Sequence, residues 1–212
     1  MKTALFLFLL LFSFTSCNKQ NIPLKDYFEF IDKTWLENTS TQGKGGPGID
    51  FIAQVKVKEI NSNEIHLVST GERETITMKL NISADKVELK ETIIDSQQLD
   101  SKTTYDPPYV LMSQEMLTAG NGNKTVEFTT NTELKHITDG VQKSSDPMKL
   151  SIKWAFHEEY QGYKNVFVVN TENIVRNYTE ESIYMKGRGL ISYTYKTPNF
   201  KLTKENGLKL KD

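Results

Sequence analysis

Apolar and polar residues alternate along most of this chain. In residues 49–57 every second side chain is apolar, and those between them are mostly polar or charged. The same period of two recurs in residues 76–82, 126–134 and 148–156. This period is typical of strands with one buried and one exposed face. Short turn sequences such as Asn61-Ser62-Asn63 separate the runs, which predicts an antiparallel meander.

Other segments depart from this period and mark the limits of the predicted domain. Residues 24–32 carry apolar side chains at helical spacings of three and four, which predicts a short amphipathic helix. Residues 105–109 contain two prolines and predict a stiff crossing between two similar halves, 35–105 and 125–200. Residues 113–118 predict one turn of helix, and residues 139–147 predict a loop. We therefore expect one β-rich domain over 23–205. The chain after Pro198 is polar and predicts a loose end, with 206–212 as its tail.

The first 22 residues predict export and a tether. Lys2 supplies a positive start, residues 4–14 form an apolar run, and small residues precede Cys17. This order is typical of a signal peptide, here residues 1–16, and a membrane span would need about 20 apolar residues. Residues 17–22 then form a polar tether. Cys17 has two interpretations: a cysteine that merely lies near an ordinary cleavage site, or the lipid attachment site of a lipoprotein.

The second interpretation rests on a resemblance. Phe14-Thr15-Ser16-Cys17 resembles the lipoprotein signals of Bacteroidetes-type bacteria, although Phe14 and Ser16 depart from the strict pattern. The resemblance implies that Cys17 carries a lipid anchor. Because no Asp follows Cys17, it also implies an outer-membrane location facing the periplasm. Several acyl chains hold a protein permanently, whereas one holds it only marginally. The expected partners are therefore the membrane and, beyond it, another envelope protein or a lipid.

Charge and cysteine content exclude some partners. The chain has 26 Lys and Arg against 27 Asp and Glu, a net charge of −1. Removing residues 1–16 removes one lysine and no acid, so the net charge becomes −2, with both signs interspersed. Nucleic-acid binding requires a basic patch, and we expect no nucleic-acid partner. Because Cys17 is the single cysteine, the domain has no internal disulfide.

Three further segments resemble a group of bacterial envelope lipoproteins of unknown function. They are the opening residues 27–35, the central Tyr105-Asp106-Pro107-Pro108, and the closing residues 182–191 with their Gly-x-Gly turn. The turn that usually reads Pro-Ala-Gly in the group is replaced here by residues 159–162. The resemblance implies a mainly β fold, a curved antiparallel sheet similar to the half-barrel of lipoprotein-carrier proteins. It implies no catalytic residue.

No motif for catalysis, a metal or a cofactor is present in the sequence. The three histidines, His66, His136 and His157, are far apart and form no known metal-binding motif. The pair Glu180 and Glu181 predicts a solvated face. We therefore expect no catalytic residue, no metal ligand and no cofactor, and favour a protein that is not an enzyme. Scattered carboxylates leave a hydrolase as one alternative.

Aromatic residues are the remaining signal for a binding site. A concave sheet lined by Trp154, Phe156, Tyr193 and Tyr195 is able to hold an acyl chain or a peptide strand, although the same residues also suit a sheet core. Our first hypothesis is a membrane-anchored, non-catalytic binding or assembly module. The alternatives are a carrier-like protein that binds acyl chains or lipoproteins in the sheet, and the hydrolase.

Overall fold

Alternating residues form twelve strands in the part of the chain that the structure describes. The computed structural model describes residues 24–28, 34–44, 46, 48–97, 99–136 and 140–207, of which 79% are strand. The mainly β prediction is confirmed. The strands are β1 Thr34–Gly43, β2 Ile49–Asn61, β3 Glu64–Thr70, β4 Glu74–Ile82, β5 Lys86–Ser96, β6 Leu99–Ser113, β7 Asn121–His136, β8 Gly140–Tyr160, β9 Tyr163–Asn173, β10 Tyr178–Met185, β11 Gly189–Lys196 and β12 Phe200–Gly207.

The twelve strands close into one antiparallel barrel. Each strand pairs with its neighbour in the chain, and β1 pairs with both β2 and β12. The predicted half-barrel is therefore not confirmed. The physical reason is β12, which the polar sequence after Pro198 concealed. β12 pairs along its backbone on both sides, with β11 and with β1, so it forms without a continuous apolar face. The division into two similar halves stays a prediction.

One end of the barrel is closed by two short helical elements. A single 3-10 turn, Leu24–Tyr27, packs against the sheet, with the Tyr27 ring 6.2 Å from that of Phe167. Helix α1, Gln114–Ala119, follows Ser113, whose hydroxyl accepts a hydrogen bond from the backbone N–H of Met116. The Leu24 N–H donates to the Gln114 side chain, which links the two elements. We call this the closed end and the opposite end the mouth.

The N-terminal helix prediction is not confirmed. Its first residues form the 3-10 turn, and residues 29–33 lie outside the described residues. The predicted signal peptide and the tether, with Cys17, also lie outside them. Among the helices that the structure describes, none is long and apolar enough to cross a membrane. The turn of helix predicted near residues 113–118 is present as α1.

The interior is packed at the closed end. A cluster of buried side chains fills it, and the 3-10 turn and α1 contribute to this cluster. A second, small cluster lies on the outer face. There the β8–β9 hairpin bends over β10, so that the Tyr160 hydroxyl donates to Glu181 over 2.6 Å. The outward-facing residues covered in this way are Val166, Val168, Ile183 and Ile191, all at most 2% exposed.

Candidate functional site

The inner face of the barrel changes along its length from sealed to solvent-accessible. Toward the closed end most inward side chains are buried, as Leu80, Val87 and Ile152 show, although Phe156 near the same end is 42% exposed. Toward the mouth they are half-buried on nearly every strand, although the sheet is closed around them. These half-buried inward residues include Thr41, Ser69, Ile76, Ile94, Ser101, Thr132, Leu134, Tyr193, Tyr195 and Leu202. The barrel therefore has a packed half and a half that solvent enters.

A single carboxyl, that of Glu180, lies among aromatic rings in the solvent-accessible half. The alternation in β10 places Glu180 on the inner face with Tyr178 and Tyr184, and its neighbour Glu181 on the outer face. Glu180 lies opposite Thr171 of β9 and Tyr195 of β11. The expectation of a solvated Glu180–Glu181 face is thus wrong for Glu180. A period-two analysis of residues 178–184 would have separated the two acids.

Burial raises the pKa of the Glu180 carboxyl above its ordinary value. The Tyr193 hydroxyl acts in the opposite direction, because its hydrogen bond to the carboxylate favours the charged form. In turn, burial and the charge of Glu180 raise the pKa of Tyr193 and raise that of Tyr178 to about 12. Both hydroxyls are therefore protonated at physiological pH, and that of Tyr193 donates to Glu180.

Further tyrosines extend the aromatic surface around Glu180. The rings of Tyr178 and Tyr195 lie 5.3 Å apart. Tyr109, from β6, reaches across the interior, and its hydroxyl lies 3.3 Å from Thr171 Oγ1. The Tyr109 ring stacks at 5.2 Å on Phe128, which ends the packed half. Burial and the nearby Glu180 charge raise the pKa of Tyr109 as well. The carboxyl is thus enclosed by rings that belong to three different strands.

The basic groups near this region are already paired. Lys204 Nζ, on the inner face of β12, lies 2.9 Å from Glu37 Oε1. Arg176, in the β9–β10 connection, lies 3.1 Å from Asp146 Oδ1. No cation of the described residues contributes to the pKa of Glu180. Glu180 is therefore an inward carboxyl without a basic partner in the described part of the barrel.

Aliphatic side chains form the wall farther around the barrel. Ile76 of β4 lies opposite Ile94 of β5, and Ile94 lies opposite Ser101 of β6, which in turn lies opposite Leu134 of β7. All four are half-buried on the inner face. The accessible half thus combines an aliphatic wall with an aromatic wall that carries one acid. Such a surface suits a ligand with an apolar body and one polar group.

The four aromatic residues predicted as a cavity lining share the inner face but are not brought together. Trp154 lies three strands from Tyr193 in the same row, through Val169 and Ser182. The Trp154 indole packs against Gly122 near the closed end, and its N–H is buried without an acceptor among the described residues. Phe156 is 42% exposed beyond the core.

Tyr193 and Tyr195 belong to the accessible half, and these two line the Glu180 region. The predicted set of aromatic residues is therefore divided by the structure into two pairs. The pair on β8, Trp154 and Phe156, lies toward the closed end, and the pair on β11 lies toward the mouth. The residue that connects the second pair to chemistry is Glu180, which sequence reasoning missed.

A second concavity lies on the outer face, next to the β8–β9 hairpin. It has a volume of about 620 Å³ and is bordered by outward residues of β8 to β12, by Gln161, and also by Thr171 and Glu180. A neighbouring cleft of about 670 Å³ shares Lys201, Thr203 and Glu205 of β12. Lysines and glutamates alternate across both, and Glu181 is already bonded to Tyr160 and Gln161. Because both signs of charge line the outer clefts, these clefts favour neither an anionic nor a cationic ligand.

The described residues contain no metal-binding cluster, because no three His, Cys, Asp or Glu side chains lie close enough together to hold an ion. His66 is bonded to Glu64 at 2.8 Å, and the His157 ring lies 4.8 Å from that of Tyr160 in a tilted contact. Comparison of the chain with protein-family models, with curated proteins and with solved structures gave no match.

Proposed function

We propose that this protein is a lipid-anchored envelope lipoprotein that acts as a non-catalytic binding module, and that its ligand enters the mouth of the barrel. The observation that carries the proposal is the gradient of exposure along the inner face. Burial of inward side chains changes from complete at Leu80 and Ile152 to partial at Ser69, Ile94 and Tyr195. A domain built only for stability would fill this space, since interiors are packed like crystals.

The proposed anchor gives the barrel an orientation. Cys17 precedes Leu24 by seven residues, which span at most about 25 Å when fully extended. Leu24 lies at the closed end. A lipid on Cys17 therefore holds the closed end near the membrane surface and directs the mouth away from it. A ligand then reaches the mouth from the periplasm without passing the anchor.

Two features bear on the kind of partner. The twelve strands close into a barrel, but β8 pairs with β9 only from Ser151 onward, so its residues 140–150 keep one edge open to a protein partner that adds a strand. The aliphatic wall formed by Ile76, Ile94 and Leu134 supports the second candidate, an acyl chain bound in the mouth. Among the inward carboxyls that the structure describes, Glu37 is bonded to Lys204 and Asp146 to Arg176, and neither forms with Glu180 the facing carboxylate pair that a glycosidase uses.

Substitutions at two adjacent residues of β3 test whether the ligand binds in the mouth. Ser69 faces inward near the mouth, opposite Ile76, whereas Thr70 is exposed. Ser69→Trp places an indole in the mouth, and Thr70→Trp adds the same ring outside. We expect the full chain, extracted from membranes and measured by native mass spectrometry, to carry a small molecule. The wild type and Thr70→Trp should retain it, and Ser69→Trp should lose it while its circular dichroism stays unchanged.

Two results would contradict the proposal. One is a wild-type protein without any bound molecule after gentle extraction. The other is equal retention of the molecule by the Ser69 and Thr70 variants, because a ligand bound elsewhere on the protein would not respond to a blocked mouth.

A further inference from the structure

We propose that the ligand of the mouth is a small organic ammonium ion, with the Glu180 carboxylate as its counter-ion and tyrosine rings as its walls. This inference rests on the proposed function and names the chemical class of its ligand. It depends on three features of the described residues: the unpaired inward carboxyl, the rings around it, and access from the mouth.

The first step concerns charge. A carboxylate taken out of water loses hydration, and it is stable inside a protein when a cation and hydrogen bonds replace that hydration. Glu180 has the hydrogen bond, from Tyr193, but no cation among the described residues. Lys204 and Arg176 face the same region, and each is held by its own acid. A cationic ligand would complete the pairing that the chain itself omits.

The second step concerns the rings. Aromatic faces attract ammonium groups within about 6 Å of the ring centre, and this attraction increases when the cation leaves water. Tyr178 and Tyr195 lie 5.3 Å apart and are tilted by 37°, next to the position of Glu180 in the sheet. Tyr109 and Tyr193 add hydroxyl groups directed at the same region. Rings around an acid favour an organic cation over a bare metal ion, which prefers oxygen ligands alone.

The third step concerns access and shape. Glu180, Tyr178 and Tyr195 are half-buried inward residues of the accessible half, and Glu180 also borders the cleft on the outer face. The aliphatic wall at Ile76 and Ile94 lies on the same inner face, several strands away. An ammonium ion that carries a short apolar body would therefore place its charge at Glu180 and its carbons toward that wall.

Proton release supplies an independent signal. Burial raises the pKa of Glu180 and a bound cation would lower it, so binding should release protons in the pH range where the free carboxyl titrates. The titratable groups that face Glu180 are the neutral tyrosines Tyr105, Tyr109, Tyr178, Tyr184 and Tyr193, and two ion pairs, Lys204 with Glu37 and Arg176 with Asp146. None of the tyrosines titrates near neutral pH.

The probe is choline, and its control is 3,3-dimethylbutan-1-ol, which has the same shape without the charge. Isothermal titration of the full chain in detergent should show choline binding at least about tenfold more tightly than the alcohol. Repeating the titration at a series of pH values in buffers of different ionisation enthalpy should reveal proton release. Glu180→Gln should remove both the preference and the release. Glu172→Gln, which removes an exposed outward carboxylate from neighbouring β9, should change neither.

Equal affinity for choline and the alcohol, or no measurable binding of either, overturns the inference. An unchanged preference in Glu180→Gln overturns it as well, because the charge would then be recognised elsewhere. These failures are distinct from failure of the proposed function. If a molecule is still lost from Ser69→Trp and retained by Thr70→Trp, the mouth binds a ligand and only its cationic nature is wrong.

Discussion

A buried threonine hydroxyl provides a sharp test of the packed interior. Thr39, on the inner face of β1, is 1% exposed, and its Oγ1 has no hydrogen-bond partner among the described residues. Thr130, on the inner face of β7, is 8% exposed, but its hydroxyl donates to the Asp146 carbonyl over 3.2 Å. The two side chains are chemically identical. Replacing each with valine therefore isolates the hydrogen bond as the variable.

The two substitutions should have opposite signs. A buried polar group without a partner costs about 1–3 kcal/mol, so Thr39→Val should raise the free energy of unfolding by up to that amount. A satisfied hydrogen bond contributes about 0.5–1.5 kcal/mol, and Thr130→Val should lower the free energy of unfolding by at least this much. At about 2–4 °C for each kcal/mol in a chain of this size, the two melting temperatures should differ by several degrees.

Urea denaturation followed by tyrosine fluorescence measures both variants in one assay. The urea dependence should match that of the wild type, so that the shift in midpoint reports stability alone. If Thr39→Val loses as much stability as Thr130→Val, the Thr39 hydroxyl has a partner in solution and the reasoning is wrong.

Three further predictions follow from named residues. Gly122→Ala should lose about 1–3 kcal/mol, because its new Cβ would lie 2.5 Å from Cζ2 of Trp154, whereas Gly46→Ala, with no atom within 4 Å, should be neutral by thermal unfolding. Glu180→Gln should raise the melting temperature most at high pH. Because burial raises the folded-state pKa of Glu180, the wild type loses stability as pH rises from the ordinary glutamate value of 4.5, and a gain independent of pH would contradict this. Labelled palmitate should enter the wild type but not Cys17→Ala, and equal labelling would exclude the lipid anchor.

Alternation predicted strands wherever apolar residues mark one face, and it failed where polar residues occupy both. The runs in 49–57, 76–82, 126–134 and 148–156 all lie in strands. The interpretation of residues 139–147 as a loop was wrong, because β8 begins at Gly140 and pairs with β7 along this polar stretch. Near the mouth the inner face is accessible, so inward positions there do not have to be apolar. Sequence patterns detect burial, and this half of the barrel has little of it.

The proline segment is extended, as predicted, because residues 105–109 lie inside β6. Pro107 and Pro108 each remove one backbone donor, and this is tolerated because β7 leaves β6 after Asp106, where its pairing ends at Thr129. Glu180 was missed because two adjacent acids suggest a solvated surface. In a strand, adjacent residues point to opposite faces, so one of the pair had to be inward if β10 belonged to a closed sheet.

The number of strands itself connects the fold to the candidate site. Barrels of about eight strands are narrow enough for side chains to fill, whereas those of 16–18 strands enclose a water-filled channel. With twelve strands, this barrel lies between the two cases. At the closed end the 3-10 turn and Met116 of α1 supply the extra volume, and inward residues there are buried. At the mouth the described residues include no such insert, and inward residues remain half-buried. β12 is therefore decisive for function as well as closure, because without it the tyrosines of β11 would line an open sheet edge instead of an enclosed site.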